Sequence, residues 1–251
     1  MGTEPVDGSS ALFGAVLGGD AESVARLLGA GAPADGTDED GRTVLHLASA
    51  HGEPAIVELL LAAGADPGHG DELPLCGAAV WGHEQVVRAL LAAGADPDAR
   101  EEFGDTALSL AVSGGRTAAV RALLAGGADP ALPDGRGTAP LVLAARRGSP
   151  AAVRELLPGA DRASVTAALA EARRWAGRDI AEALRAELTR AYGEEAAREP
   201  AVRRFEREGE AVVTVELLRG GAPFAGAERG TGHGEIAAVL EGAAATRAPA
   251  E

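Results

Sequence analysis

The chain has 251 residues, 46% of them apolar, a mean hydropathy near zero and a formal net charge of −15, enough apolar material for the core of one large or two small domains. Acid excess is concentrated early, with a net −12 over residues 1–100, zero over 101–163 and −3 over 164–251; such a surface repels phosphate backbones and sets aside DNA and RNA as partners. Cys76 is the single cysteine, which excludes an internal disulfide or a thiolate metal cage, and no apolar run approaches the roughly 18–20 residues of a membrane helix.

The N-terminal stretch MGTEPVDGSS lacks the basic and apolar regions of a secretory signal, so a cytoplasmic protein is expected. All 23 basic residues are arginine, a usage that fits a GC-rich genome and makes each of the few aromatics more informative. Nearly one string then recurs: GEPAIVELLLAAGADPG at 52–68, GHEQVVRALLAAGADPDAR at 82–100 and GRTAAVRALLAGGADPA at 115–131. With the central leucine of each first helix as ruler, the copies stand at Leu12, Leu45, Leu75, Leu108 and Leu141, spaced by 33, 30, 33 and 33 residues. A fixed period of this length marks a solenoid.

Each copy reads as a turn, a short helix, a glycine break, a second helix and a glycine stop. The first copy opens on SALFGAV without a strong start, as a terminal cap with one neighbour does, and Asp20 can cap its second helix. Thr43 and Thr106 stand where a side-chain oxygen accepts from the free amides of a first helix, and Thr117 where it can serve a second one. Pro74 and Pro140 take the first-turn slot in which a missing N–H does no harm. The third copy lacks three residues between Asp66 and Leu75, so its turn is short, and Leu73 replaces the capping threonine. Ser149 and Pro150 start the last second helix and Pro158 stops it. Apolar residues recur at helical spacing, as Val57, Leu60 and Leu61 or Val87, Leu90 and Leu91, and Gly31, Gly64, Gly94 and Gly127 follow where a left-handed residue ends a helix.

These features, with TVLHLA at 43–48, LPLCGA at 73–78, GHEQVVRALLAAGAD at 82–96 and the repeated Gly-Ala-Asp, resemble ankyrin repeats over about residues 8–163. The resemblance implies an all-α repeat solenoid of antiparallel helix pairs, with turn fingers on one edge and a concave surface of fingertips and first helices. Proteins of this family usually bind other proteins there and are rarely catalysts. Five repeats are expected near 8–35, 36–66, 67–96, 97–129 and 130–161, with a degenerate capping repeat at 162–188, whose VTAALAEARRWAGRDIAEALRAEL reads as two helices. A charged linker or exposed helix follows at 189–210. Over 211–242, alternation of Val213, Val215 and Leu217 with a Gly220-Gly221 turn reads as a β-hairpin, against a helical alternative for VELLRGGAP, and Thr231 can cap a short helix with Ile236, Val239 and Leu240. Residues 243–251 read as a disordered tail.

Placed on the family pattern, the positions that vary and face a partner are Thr37, Glu39, Asp40, Arg42, Ala50 and His51 in the second copy and Val80 and Trp81 in the third. They are Arg100, Glu102, Phe103, Asp105 and Ser113 in the fourth, and Pro133, Arg136, Thr138, Arg146 and Arg147 in the fifth. Trp81 and Phe103 fall on one projected surface in neighbouring copies, and aromatics and arginines are favoured binding anchors; the plain alternative is that both merely pack over the adjoining copy. An acidic rim of Glu39, Asp40, Asp71, Glu72, Glu101 and Glu102 and a basic end at Arg146 and Arg147 complete the surface.

His46 is read as a hydrogen bond between neighbouring turns, His83 as part of a Gly-His helix start, and Cys76 as a small buried hydrophobe. GTGHG at 230–234 lacks the lysine and preceding strand of a phosphate loop. No acid, base and nucleophile assemble, so no catalytic residue, metal or cofactor is assigned. The expected function is a non-catalytic protein-interaction scaffold, a monomer with no nucleic-acid or membrane partner; the alternative is a repeat domain that delivers a regulatory or catalytic C-terminal unit.

Overall fold

The structure is a computed structural model and describes residues 8–70, 72–192, 200–219 and 222–246. The chain divides into two units, residues 1–138 and 139–251. The first contains α1 (Gly8–Leu17), α2 (Ala21–Gly29), α3 (Val44–His51), α4 (Pro54–Ala62), α5 (Pro74–Trp81), α6 (Glu84–Ala92), α7 (Ala107–Ser113) and α8 (Thr117–Ala125). First helices pack on first helices, α1 on α3, α3 on α5 and α5 on α7, and second helices follow the same order from α2 to α8. Leu12, Leu45, Leu75 and Leu108 are all buried between these layers, as are Val57, Leu60, Val87 and Leu90. At about 1.5–3 kcal/mol for each leucine removed from water, these side chains are what make a seven- to ten-residue helix stable.

The helix ends follow the punctuation of the sequence. Thr43 Oγ1 accepts from His46 N at 3.0 Å, Thr106 and Ser109 form a reciprocal capping box, and Asp20 accepts from Ser23 N at 3.0 Å. Thr117 departs from expectation: it is the first residue of α8 and buried, and Arg116 stands at the cap position with no side-chain cap bond. Gly31, Gly64, Gly94 and Gly127 take φ between 91° and 97°, a region closed to most side chains. The aspartates of Gly-Ala-Asp have a local task, since Asp66, Asp96 and Asp129 each accept the amide two residues on.

One contact stitches layer to layer. The residue after the inter-helix glycine reaches back to the preceding copy: His83 Nε2 bonds the Ala50 carbonyl at 3.0 Å, and Arg116 Nε donates to the Val80 carbonyl at 3.2 Å. In both, the side chain lies against the previous glycine, Gly52 or Gly82, where a Cβ would collide with it.

The second unit comprises α9 (Pro140–Arg147), α10 (Pro150–Leu156), a 3-10 turn at Leu157–Gly159, α11 (Arg162–Trp175), α12 (Ile180–Tyr192), β1 (Ala201–Arg207), β2 (Glu210–Arg219), β3 (Ala222–Gly230) and α13 (His233–Thr246). Ser149 and Pro150 start α10 as expected, with Ser149 Oγ accepting from Ala152 N at 3.2 Å. The strands form an antiparallel sheet in the order β1-β2-β3, with Arg204 opposite Val213 and Val215 opposite Ala227. Ile180, Leu184 and Leu188 of α12 pack with Trp175 on Val213, Val215 and Leu217 of β2.

Four expectations are corrected here. The helix packed on α11 is α13, not the α12 that follows it in sequence, because the apolar face of α12 is taken by the sheet. The expected hairpin is present as β2 and β3, but the stretch 189–210, read as a linker or exposed helix, supplies the end of α12 and a third strand, β1, which satisfies the free edge of β2. The Gly220-Gly221 turn lies outside the described residues. Thr231 does not cap α13; its hydroxyl donates to the Ala211 carbonyl at 3.3 Å. Finally, α13 continues to Thr246, into the stretch read as a tail.

α11 and α13 stand in the places of a first and a second helix. α11 packs on α9 and α13 on α10. Gly232-His233 repeats Gly82-His83: His233 lies against Gly148 and its Nε2 bonds the Arg146 carbonyl at 3.4 Å. Buried Ile236, Ala237 and Leu240 fall at the same offsets from His233 as Val86, Val87 and Leu90 from His83. α12 and the sheet are thus an insertion between the two helices of one pair. The insertion is anchored on the turn between α9 and α10, through Arg147 to Glu228, through Ala151 N to Glu210 Oε1 at 2.7 Å, and by backbone contact of Gly230 with Gly148 that a Cβ at either would block. That contact accounts for Gly230 of GTGHG, and the Pro150 ring against Gly232 accounts for the second glycine.

Two outcomes follow. Leu90→Ala leaves a cavity in a completely buried layer and is expected to lower unfolding free energy by about 2–5 kcal/mol in urea titration. Burial pushes the His233 imidazole down from 6.5 to about 4, with the Arg146 carbonyl opposing and the Arg229 charge reinforcing the shift. The unfolded chain takes up this proton near pH 6.5 and the folded one only near 4, so the stability is present above pH 6.5 and lost as pH falls toward 4. Urea unfolding followed by Trp175 fluorescence should show a loss on the order of 3 kcal/mol across that window, and His233→Gln should flatten the slope between pH 6.5 and 5.

Candidate functional site

In the first unit the fingers between layers are tight hairpin turns built on one carboxylate. Asp38 Oδ1 accepts from the amides of Asp40 and Arg42, at 3.0 and 2.9 Å, and Glu101 Oε1 accepts from Phe103 and Asp105, at 3.0 and 3.1 Å. Asp134 does the same for Arg136 and Thr138. Partial desolvation raises the Asp38 carboxyl, but the Arg42 amide and guanidinium and the Asp40 amide outweigh it and hold the group below its ordinary range. Asp40, Phe103 and Arg136 are equivalent fingertip residues, each followed by a glycine at positive φ. Among its described residues, the short third finger has no such carboxylate-centred turn.

The shortening opens a groove. Asp40 of the second finger, Glu72 of the third and Glu101, Glu102 and Phe103 of the fourth surround a cavity of about 420 Å³. Its floor is apolar, with Ala50 of α3, Leu73, Cys76 and Val80 at α5, and Leu110 of α7, and Trp81 at the end of α5 closes one side. Trp81 is 60% exposed and Phe103 78%, so neither is spent on packing. Glu72 Oε2 pairs with His46 Nε2 at 2.8 Å, which makes His46 the predicted link between neighbouring turns. The ring fits because residue 77 is glycine, whose added Cβ would stand 3.1 Å from His46 Cε1. Asp40 shares Arg42 at 3.0 Å, Glu101 is held in its turn, and Glu102 has no partner among the described residues.

The other predicted residues divide. Glu39, Arg42 and His51 line a neighbouring recess of about 560 Å³ with Phe13 and Leu17. Arg100 and Asp105 brace the fingers: Arg100 Nη2 donates to the Pro133 carbonyl at 2.9 Å, and Asp105 Oδ1 accepts from Gly135 N at 3.0 Å. Gly135 lies so close to the Phe103 carbonyl that any Cβ would overlap it. Arg136 is an exposed fingertip. Arg146 and Arg147 belong to the second unit, where Arg146 pairs with Glu171 at 3.4 Å and the largely buried Arg147 is held by Glu228. Asp71 lies outside the described residues.

Cys76 is buried as expected and also forms part of the groove floor. Burial first, then the charges of Glu101 and Asp105, push its thiol up to about 12, which disarms it as a nucleophile or metal ligand. Among the described residues no group of three His, Cys, Asp or Glu is placed to hold a metal, and no helix is long and apolar enough to cross a membrane. In the second unit a smaller cavity of about 280 Å³ is lined by Trp175, Arg178, Arg204 and His233. Outside that cavity, on β3, desolvation by burial disfavours the Glu228 carboxylate, but Arg207 and Arg147 overcome it and hold its pKa low.

Stacked helix pairs with fingers on one edge define a repeat scaffold, a class whose chemistry lies in its surface. The family model of ankyrin repeats, in three copies, matches residues 1–71 and 75–167, and the chain belongs to the ankyrin repeat family. Ankyrin repeats are generally protein–protein interaction modules. No curated protein sequence matches the chain.

Because Trp81 and Phe103 are solvent-exposed, Trp81→Ala and Phe103→Ala are each expected to stay within about 1 kcal/mol of the parent in thermal or urea unfolding. A loss of several kcal/mol would mean that the rings are structural.

Proposed function

We propose that the chain is a non-catalytic scaffold that binds a partner protein through the finger and first-helix groove of its first unit, with Trp81 and Phe103 as anchors. The observation that carries this reading is the pair of exposed rings over an apolar floor formed by helices whose opposite sides are buried. Such a surface binds without first ordering itself, which removes part of the entropic cost of association. Exposed aromatics at the centre of a patch are where binding energy concentrates. Glu39, Asp40, Arg42, His51, Glu102 and Arg136 form the polar surround, while Arg100 and Asp105 contribute by holding the fourth finger. The net charge of −15 supports a partner other than nucleic acid. A lone cysteine in the core is compatible with a cytoplasmic monomer.

The test uses binders selected on the full chain from a random linear peptide library. Their affinity for the folded Trp81→Ala/Phe103→Ala double variant is expected to fall at least tenfold, about 1.4 kcal/mol; unchanged affinity overturns the reading.

A further inference from the structure

The groove has a chemical preference as well as a shape. Its rim places Asp40, Glu72, Glu101 and Glu102 around the two exposed rings, and no arginine lines it among the described residues. Its imidazole, His46, is already engaged by Glu72. The groove also sits within the first 100 or so residues, where the acid excess of the chain is concentrated. Aromatic faces attract organic cations, tryptophan most strongly, and carboxylates beside them add a second attraction of the same sign. A metal ion is not favoured by this arrangement, since the four carboxylates do not converge as ligands.

We propose that the occupant of this groove is a cationic side chain, arginine or lysine, presented by a partner polypeptide with apolar neighbours. The guanidinium or ammonium lies over Trp81 or Phe103 and is met by Glu102, which is free, and by Glu72, which is half-exposed and can serve His46 and the guest together. The apolar flanks of the partner rest on Leu73, Val80 and Leu110. The volume of about 420 Å³ is within the roughly 300–1,000 Å³ of ordinary ligand pockets and accepts one long side chain with its neighbours. The shortened third finger is the specificity device: a finger with three more residues would fill the space between Asp40 and Phe103.

This proposal rests on the groove being the binding surface, so the experiment separates the two. Binders from the peptide selection are resynthesised with each arginine replaced by citrulline and each lysine by norleucine, and titrated against the parent chain and the Glu72→Gln/Glu102→Gln variant. One basic residue should prove indispensable, its neutral replacement weakening binding about tenfold. The carboxamide variant should weaken the basic peptide similarly, barely affect the neutral one, and remove most of the salt dependence. Binders that need Trp81 and Phe103 but are indifferent to both replacements overturn the cation and leave the groove. Binders indifferent to Trp81 and Phe103, or a library that yields none, overturn both. Thermal unfolding of the carboxamide variant, expected to match the parent, confirms that the comparison is between folded proteins.

Discussion

Everything in the first unit depends on one constraint: a helix of seven to ten residues cannot keep its leucines dry alone. The neighbouring pair supplies the cover, and the cover must repeat at a fixed rise, which is why the period holds where composition varies. The layer-stitching contact shows how exact the rise is. Gly52 and Gly82 yield their Cβ space to His83 and Arg116, and the side chains use that closeness to reach a carbonyl of the preceding copy. The same contact between His233 and Gly148 ties α13 to α9 in the second unit, across a stretch of intervening chain long enough to hold α12 and the sheet.

That insertion illustrates how a repeat tolerates interruption. Its two ends leave and re-enter the helix pair at Ala176 and Gly232, and between them α12 and the sheet share a small apolar core of their own. Anchorage is mostly polar: Arg147 and Arg207 converge on Glu228, and Arg229 lies 3.8 Å from the centre of the Trp175 ring. Partly buried arginines are sustained there because each finds a carboxylate, a carbonyl or an aromatic face.

In the first unit, the same economy of space produces a surface rather than a core. Fingers two and four close on a single carboxylate each, and the fourth is braced from the following finger by Arg100, Asp105 and Gly135. Phe103 is therefore held outward by its backbone, without packing of its own ring. The third finger, three residues shorter, leaves the gap in which Trp81, Glu72 and the floor of α5 are reached. The three missing residues of one loop have become the most distinctive feature of the finger edge.

The sequence by itself determined the period, most helix boundaries of the first unit and the buried leucines, because caps, glycines and helical spacing act over a few residues and carry their meaning locally. It also marked Trp81 and Phe103, since two aromatics on a projected surface stand out in a chain with so few. Only the tertiary structure decided which helix completes α11, which arginines are occupied and what the short finger exposes. Those outcomes depend on competition between segments distant in the chain: α12 found a better apolar partner in β2, Arg147 found Glu228, and Arg100 found the Pro133 carbonyl. Periodicity records which face of a helix must be hidden, and the identity of the neighbour that hides it is settled by packing.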